Sequence, residues 1–271
     1  MWTYPEIDPV ALSLGPLTIH WYGLMYLAGF AFFWAVGRHK AKSTPYWTAD
    51  HVSDFLFYGA LGVILGGRLG YSLFYDFSHY LQHPIEIFYI WQGGMSFHGG
   101  LVGVSVAMIW FARKIKAPLF VVTDFVALLV PAGLFFGRMG NFINGELWGK
   151  VTDSEWGMRV YDPLLNQVVS KYPTQLLEAL LEGVVLFTVL WFYARKPRPL
   201  GAVTGLFVGL YGSFRFFVEF YRMPDPQLGY LLWDWLTMGQ VLSLPMILFG
   251  FGLWFWSVRD QSAQTQKGEK R

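Results

Sequence analysis

Residues 120–137 read Phe-Val-Val-Thr-Asp-Phe-Val-Ala-Leu-Leu-Val-Pro-Ala-Gly-Leu-Phe-Phe-Gly, an apolar run with a single charge, Asp124. A bilayer core of about 30 Å takes roughly 20 apolar residues of helix. The stretch therefore predicts a helix that crosses a membrane. Working outward, six more stretches read the same way: Ile19 to Val36, Phe55 to Phe74, Met95 to Phe111, Gln175 to Tyr193, Ala202 to Phe220 and Met238 to Val258. Pro131 and Pro245 interrupt two of them, which is tolerated where neighbouring helices satisfy the freed backbone groups. The expected fold is an all-α integral membrane protein of about seven transmembrane helices.

The composition agrees. Of 271 residues, 54 % are apolar and 14 % charged, against roughly 25 % charged in soluble chains. A net charge of +2 gives no reason to expect a nucleic-acid partner. The absence of cysteine excludes a disulfide scaffold, a thiolate metal site and an enzyme thiol nucleophile. No histidine and carboxylate spacing suggests a bound metal, no nucleotide loop is visible, and no cofactor is expected. The N-terminus lacks a basic flank ahead of a short apolar core, so no cleaved signal peptide is expected.

Basic residues orient membrane helices, because cytoplasmic loops carry the excess of Lys and Arg. Thirteen of the 20 basic residues follow alternate spans: Arg38, Lys40 and Lys42; Arg113, Lys114 and Lys116; Arg195, Lys196 and Arg198; Arg259, Lys267, Lys270 and Arg271. Lys150, Arg159, Lys171 and Arg222 lie on the other side. The N-terminus is thus expected outside and the C-terminus in the cytoplasm. Residues 1–260 read as a single polytopic membrane domain with an external insert at about 146–173, which forms a small cap. Residues 261–271 read as a disordered cytoplasmic tail. Outer connections at Asp76 to Gly94, Glu146 to Pro173 and Arg222 to Trp235 are long, and long loops are often functional.

The remaining three arginines, Arg68, Arg138 and Arg215, fall within or at the ends of spans, where a charge costs about 2.5–3.5 kcal/mol on insertion scales. On the expected topology each lies at outer depth, as does His98. Arginines in a partly dry site suit phosphate, through bidentate charge-assisted bonds. Gly67-Arg68-Leu69-Gly70 and Gly137-Arg138-Met139-Gly140 repeat one pattern. Asn141 and Asn144 follow Arg138 by three and six residues. Tyr211, Arg215, Glu219 and Arg222, spaced by four, four and three, form a polar stripe on an apolar helix. His98 sits in Gly94-Met95-Ser96-Phe97-His98-Gly99-Gly100, which opens an inward helix whose N-terminus favours an anion.

Several features have plainer readings. Gly59, Gly62, Gly66 and Gly70, with Gly99 and Gly103 and with Gly205 and Gly209, fit helix packing. Arg68 reads equally as an interfacial side chain with its head in water. Trp91, Trp148, Trp233 and Trp235 fit an aromatic belt. Glu178 and Glu182 read as polar helix–helix contacts, and Asp54 and Asp124 as charges at helix N-termini.

The segment Gly137-Arg138-Met139-Gly140-Asn141-Phe142-Ile143-Asn144-Gly145-Glu146-Leu147-Trp148-Gly149 resembles the signature of the bacterial prolipoprotein diacylglyceryl transferases. His20-Trp21-Tyr22-Gly23-Leu24-Met25-Tyr26, the block around His98, and Arg215-Phe216-Phe217-Val218-Glu219-Phe220 resemble further blocks of that family in the same order. The resemblance implies transfer of the diacylglyceryl group of phosphatidylglycerol to the thiol of the lipobox cysteine in a prolipoprotein signal peptide. A thioether forms and glycerol phosphate leaves, as the first step of lipoprotein maturation. It implies a multi-pass protein of the bacterial inner membrane, working among membrane lipids at the periplasmic leaflet. His98, Arg138 and Arg215 are the expected catalytic residues. Tyr22, Asn141, Glu146, Gly149, Tyr211, Glu219 and Arg68 are the expected substrate-binding residues. Two rival classes use the same arginines: a transporter or channel for an anionic solute, and a structural membrane subunit. A transporter favours paired halves and a midplane site, whereas these charges lie toward one face.

Overall fold

The computed structural model describes residues 2–15, 17–163, 165–224, 229–232 and 235–269, with side chains given through residue 260 apart from that of Leu17. Trp233, the side chains of the expected tail and its last two residues lie outside the described residues. Strands β1 (Trp2–Thr3), β2 (Val10–Leu14) and β3 (Leu17–His20) precede helix α1 (Trp21–Ala41). Helices α2 (Ala49–Phe74), α3 (Phe77–Gln82), α4 (Phe97–Lys114) and α5 (Leu119–Ile143) follow. Strands β4 (Met158–Asp162) and β5 (Gln167–Lys171) lead into α6 (Thr174–Glu178). A π-helical turn (Ala179–Val185) joins α6 to α7 (Leu186–Tyr193), and α8 (Ala202–Val218) and α9 (Met238–Glu269) close the order.

A helix stands at each of the seven apolar stretches. Among the described residues, four helical segments are long and apolar enough to cross a membrane by length and composition: Ala49–Phe74, Leu119–Ile143, Thr174–Tyr193 and Met238–Asp260. Ala202–Val218 is apolar but shorter. The protein is mostly helical, as expected of an all-α membrane protein, and five short strands accompany the helices among the described residues. β2 and β3 form an antiparallel hairpin, Val10 opposite His20 and Leu14 opposite Leu17. β4 and β5 form a second, from Met158 opposite Lys171 to Asp162 opposite Gln167, and β1 joins β4 in parallel. Val160, Val168 and Val169 favour a pleated backbone. The pairing of β1 with β4 unites residues far apart in the chain, which no local pattern reports.

The chain divides into two units, 1–33 with 124–271, and 34–123. In the second unit α2 and α4 lie glycine against glycine. A Cβ built on Gly62 would stand 2.7 Å from the Gly103 carbonyl oxygen, and one on Gly70 would stand 2.7 Å from the Gly99 Cα. Lipid is as apolar as Leu, so membrane helices gain from such close backbone approach rather than from larger apolar side chains. At the other end of the pair the rings of Trp47 and Phe55 close on Phe111, at 5.5 and 5.3 Å. Lys114 reaches Asp54 at 2.7 Å. Ser96 caps α4, its hydroxyl accepting from the Gly99 N–H at 3.1 Å.

In the first unit α8 packs on α9 in the same manner: a Cβ on Gly205 would stand 2.8 Å from the Gly250 carbonyl. Asp124 serves a different helix from the one expected. Its Oδ2 accepts from the Gly201 N–H at 2.8 Å, and its Oδ1 accepts from the Thr204 N–H and hydroxyl at 2.8 and 2.6 Å. A side chain of α5 thereby satisfies the orphan donors that open α8. The far end of α5 is closed by Tyr4, whose hydroxyl donates to the carbonyls of Phe142 and Ile143 at 3.0 and 2.8 Å. Burial pushes the Tyr4 phenol above its ordinary value, which keeps it a donor.

Gly103→Leu forces a branched side chain into the α2–α4 contact, where overpacking costs about 3 kcal/mol. Thermal unfolding of the detergent-solubilised protein checks this, with a clearly lowered midpoint expected and an unchanged one counting against the packing account.

Candidate functional site

The first unit gathers three arginines around one buried carboxylate. Arg138 closes the apolar part of α5, Arg215 lies near the end of α8, and Arg222 follows α8. Glu178, the last residue of α6, has no exposed side-chain surface. Its Oε1 pairs with Arg222 Nη1 at 2.7 Å and with Arg215 Nη1 at 3.1 Å. Its Oε2 lies 2.5 Å from Arg138 Nε, an ion pair set by proximity without a well-aligned hydrogen bond. Glu219 supplies the second counter-charge: Oε1 lies 2.5 Å from Arg215 Nη2 and 3.2 Å from Arg222 Nε, and Oε2 accepts from the Thr237 hydroxyl at 2.8 Å. The four-residue and three-residue steps from Arg215 to Glu219 to Arg222 bring these groups onto one face.

The three guanidinium groups are held but not sealed. Their side chains keep 20 %, 19 % and 19 % of their surface exposed for Arg138, Arg215 and Arg222. Each retains a face that an incoming anion can take by charge-assisted hydrogen bonds.

A polar chain runs on from Arg138. Arg138 Nη1 donates to Asn141 Oδ1 at 3.4 Å, and Asn141 Nδ2 donates to Glu146 Oε1 at 3.2 Å. Asn144 Nδ2 donates to the same Glu146 oxygen at 3.2 Å. Glu146 thus acts on Arg138 through Asn141. Positive φ at Gly145 and Leu147, 67° and 61°, turns the chain back after α5, and Thr174 holds that turn by donating to the Leu147 carbonyl at 3.0 Å. Gly149 then passes where a side chain would not fit: a Cβ would stand 2.7 Å from Thr174 Cγ2 and 3.0 Å from Tyr172 Cβ. Its bridge partner is Arg222, so Gly149 seats the third arginine.

The other expected residues distribute as follows. Tyr22, in α1, packs on Gly140, where a Cβ would stand 2.8 Å from its ring, and its hydroxyl lies 3.4 Å from that of Tyr26. Tyr211 stacks on Phe207 and lies within electrostatic reach of Arg215, Arg138, Glu178 and Glu182. His98 and Arg68 belong to the second unit. His98 is exposed in the first turn of α4. Arg68 is only 3 % exposed and among the described residues donates to backbone carbonyls alone: Glu86 at 2.5 Å, Ile87 at 2.8 Å, Gly93 at 2.6 Å and Gly94 at 3.2 Å. Its guanidinium clamps the connection between α3 and α4, a geometry unlike that of an interfacial side chain with its head in water. Among the described residues no group of three or more His, Asp or Glu side chains is placed to hold a metal.

Sequence reasoning passed over Glu178 and Glu182 as site residues, and Arg222 as more than part of a stripe. The readable signal was two carboxylates four apart in an otherwise apolar span. Beside Glu182 lies an apolar recess of about 220 Å³, lined by Phe32, Phe135, Phe136, Gly183, Val184 and Phe187 among others.

Comparison with known proteins bears on this site. A family model described as prolipoprotein diacylglyceryl transferase matches residues 9–256. A phosphatidylglycerol–prolipoprotein diacylglyceryl transferase of Hydrogenovibrio crunogenus is 73 % identical over 260 residues, covering 96 % of this chain and 98 % of that protein. The proteins of the same name from Ectopseudomonas mendocina and Pseudomonas aeruginosa PAO1 are 55 % and 54 % identical over 265 residues, each covering 97 % of this chain, and 99 % and 98 % of their own lengths.

Glu178→Ala strips all three guanidinium groups of their shared counter-charge. Breaking such a buried cluster costs about 3 kcal/mol or more. A fall in the thermal unfolding midpoint of the solubilised protein is expected, and an unchanged midpoint would remove Glu178 from the centre of the cluster.

Proposed function

The chain belongs to the prolipoprotein diacylglyceryl transferase family, and from that premise we infer that it transfers the diacylglyceryl group of phosphatidylglycerol to a prolipoprotein. The observation that carries the reading to chemistry is the cluster of Arg138, Arg215 and Arg222, three partly exposed guanidinium groups in one buried carboxylate cage.

The proposed acceptor is the thiol of the lipobox cysteine. Its sulfur attacks the diacylglycerol carbon that bears the phosphate. The carbon–sulfur bond forms as the carbon–oxygen bond breaks, the electron pair leaves with the phosphate oxygen, and the thiol proton passes to a base. Charge builds on the phosphate as the bond breaks, and fixed cations beside it stabilise that charge most where water is scarce. Arg138 and Arg215 take the phosphate, with Glu178 and Glu219 holding their guanidinium planes. Asn141 and Tyr22 offer neutral hydrogen bonds to lipid oxygens. The recess beside Glu182 suits an acyl chain, since its lining residues include Phe32, Phe136, Val184 and Phe187. His98 is the proposed proton acceptor, since an imidazole changes charge near neutral pH. Arg68, expected among the substrate-binding residues, instead holds the backbone of its own unit at Glu86, Ile87, Gly93 and Gly94.

The protein is a membrane protein. The proposed arrangement is seven crossings of the bacterial inner membrane, with the N-terminus and the 146–173 insert periplasmic and the C-terminus cytoplasmic, so that the arginines work in the periplasmic leaflet. An anion transporter built on the same arginines would form no covalent product.

The decisive assay is thioether formation on a lipobox peptide supplied with phosphatidylglycerol in micelles. Arg138→Ala and Arg215→Ala are each expected to lower the rate about 100-fold or more, and His98→Asn about 100-fold or more. Full activity in either arginine variant removes that residue from the phosphate site, and an unaltered pH profile in His98→Asn removes the base.

Topology is open to a direct check because the chain has no cysteine of its own. Glu155, exposed on the insert, changed to Cys, is expected to react with an impermeant maleimide in intact spheroplasts. Reaction only after lysis would invert the proposed orientation.

A further inference from the structure

One carboxylate of the cage accepts no hydrogen bond among the described residues. Glu178 and Glu219 pair with the three guanidinium groups, leaving a formal charge of +1 that matches a single phosphodiester. Glu182 adds a third negative charge. Its side chain has no exposed surface, and among the described residues neither oxygen receives a hydrogen bond and the nearest cation is Arg138 Nη2 at 4.0 Å. It lies on the π-helical turn Ala179–Val185, an irregularity found mostly as single turns and often at functional sites. The groups that act on it electrostatically come from every side: Glu178 on its own element, Arg138 from α5, Arg215 and Tyr211 from α8, and Arg222 beyond α8.

A buried carboxylate 4.0 Å from a guanidinium of an anion site repels whatever anion that guanidinium holds. That repulsion scales with the anion's charge. Phosphatidylglycerol is a phosphodiester with one negative charge. Glycerol phosphate, the product in the reading above, is a phosphomonoester that carries about −1.5 to −2 near neutral pH. Arginines alone would therefore hold the product more tightly than the substrate. With Glu182 ionised the cage is formally neutral, and that preference is cancelled.

We propose that Glu182 is a specificity-determining residue of the phosphate site: a buried counter-charge that opposes phosphomonoester dianions about twice as strongly as phosphodiester monoanions and thereby drives product release. The proposal rests on the reading of the arginine cluster as the phosphate site.

The test measures competitive inhibition of the transfer reaction by glycerol phosphate and by glycerophosphoglycerol, a soluble phosphodiester, at about pH 8, where the monoester is dianionic. The wild-type protein is expected to bind the monoester no more tightly than the diester. In Glu182→Gln, which removes charge at nearly constant shape, the inhibition constant for glycerol phosphate should fall about tenfold or more, as for loss of one nearby charge in a partly buried site. Those for glycerophosphoglycerol, and the KM for phosphatidylglycerol, should fall by about the square root of that factor. Equal changes for both anions, or no change in either, overturn the proposal. If Glu182→Gln does not fold, the wild-type comparison still decides, because clear preference for the monoester contradicts a charge filter. Arg138→Ala and Arg215→Ala in the same assay keep the premise separate: unaltered inhibition by both anions in both variants refutes the phosphate site itself, whatever Glu182 does.

Discussion

Three guanidinium groups cannot share a weakly hydrated space unless something negative stands between them, and Glu178 is that group. Its two oxygens reach Arg138, Arg215 and Arg222, which come from α5, from α8 and from the segment after α8. The energetic consequence is asymmetric. Like charges held close in low dielectric repel by several kcal/mol, so the cage is stable only while every member is in place. The same asymmetry makes the site useful. In the proposed reaction a guanidinium already oriented by a carboxylate would lose little freedom on taking a phosphate on its open face, and it would supply charge stabilisation without rearrangement.

The rest of the first unit can be understood as support for that cage. Asp124 caps α8 from α5, which fixes the start of the helix that carries Arg215 near its end. Tyr4 satisfies the last carbonyls of α5, just beyond Arg138. Gly149 lets the returning loop run beside Tyr172 and Thr174 so that its backbone meets Arg222. Glu219 is backed by Thr237 at the approach to α9. Each of these contacts removes a degree of freedom from a member of the cage or from the backbone beside it.

Much of the architecture was legible because membrane insertion leaves a coarse mark. A helix that must satisfy its own backbone in lipid needs a long apolar run, and a helix stands at every run that the sequence displays. The stripe Arg215, Glu219, Arg222 was legible because helical spacing is local. The two sheets were not, since β1 and β4 meet across more than 150 residues. Arg68 was ambiguous for a related reason: its four carbonyl partners lie in a loop whose course no pattern of side chains specifies. Glu178 and Glu182 looked like ordinary helix contacts because four-residue spacing is common, and the π-helical turn leaves no periodic trace.

By itself the sequence determined which stretches are helical and apolar, which arginines sit at odds with that apolarity, and, through its motif blocks, the family. These are properties of composition and of spacing within a few residues. The tertiary structure alone decided which charges neutralise one another, because that depends on distances between helices far apart in the chain. It made Glu178 the common partner of three arginines, spent Arg68 on backbone carbonyls, and left Glu182 buried with no donor. Coulomb energies change severalfold over a few ångströms in low dielectric, and no pattern along a chain fixes distances that finely.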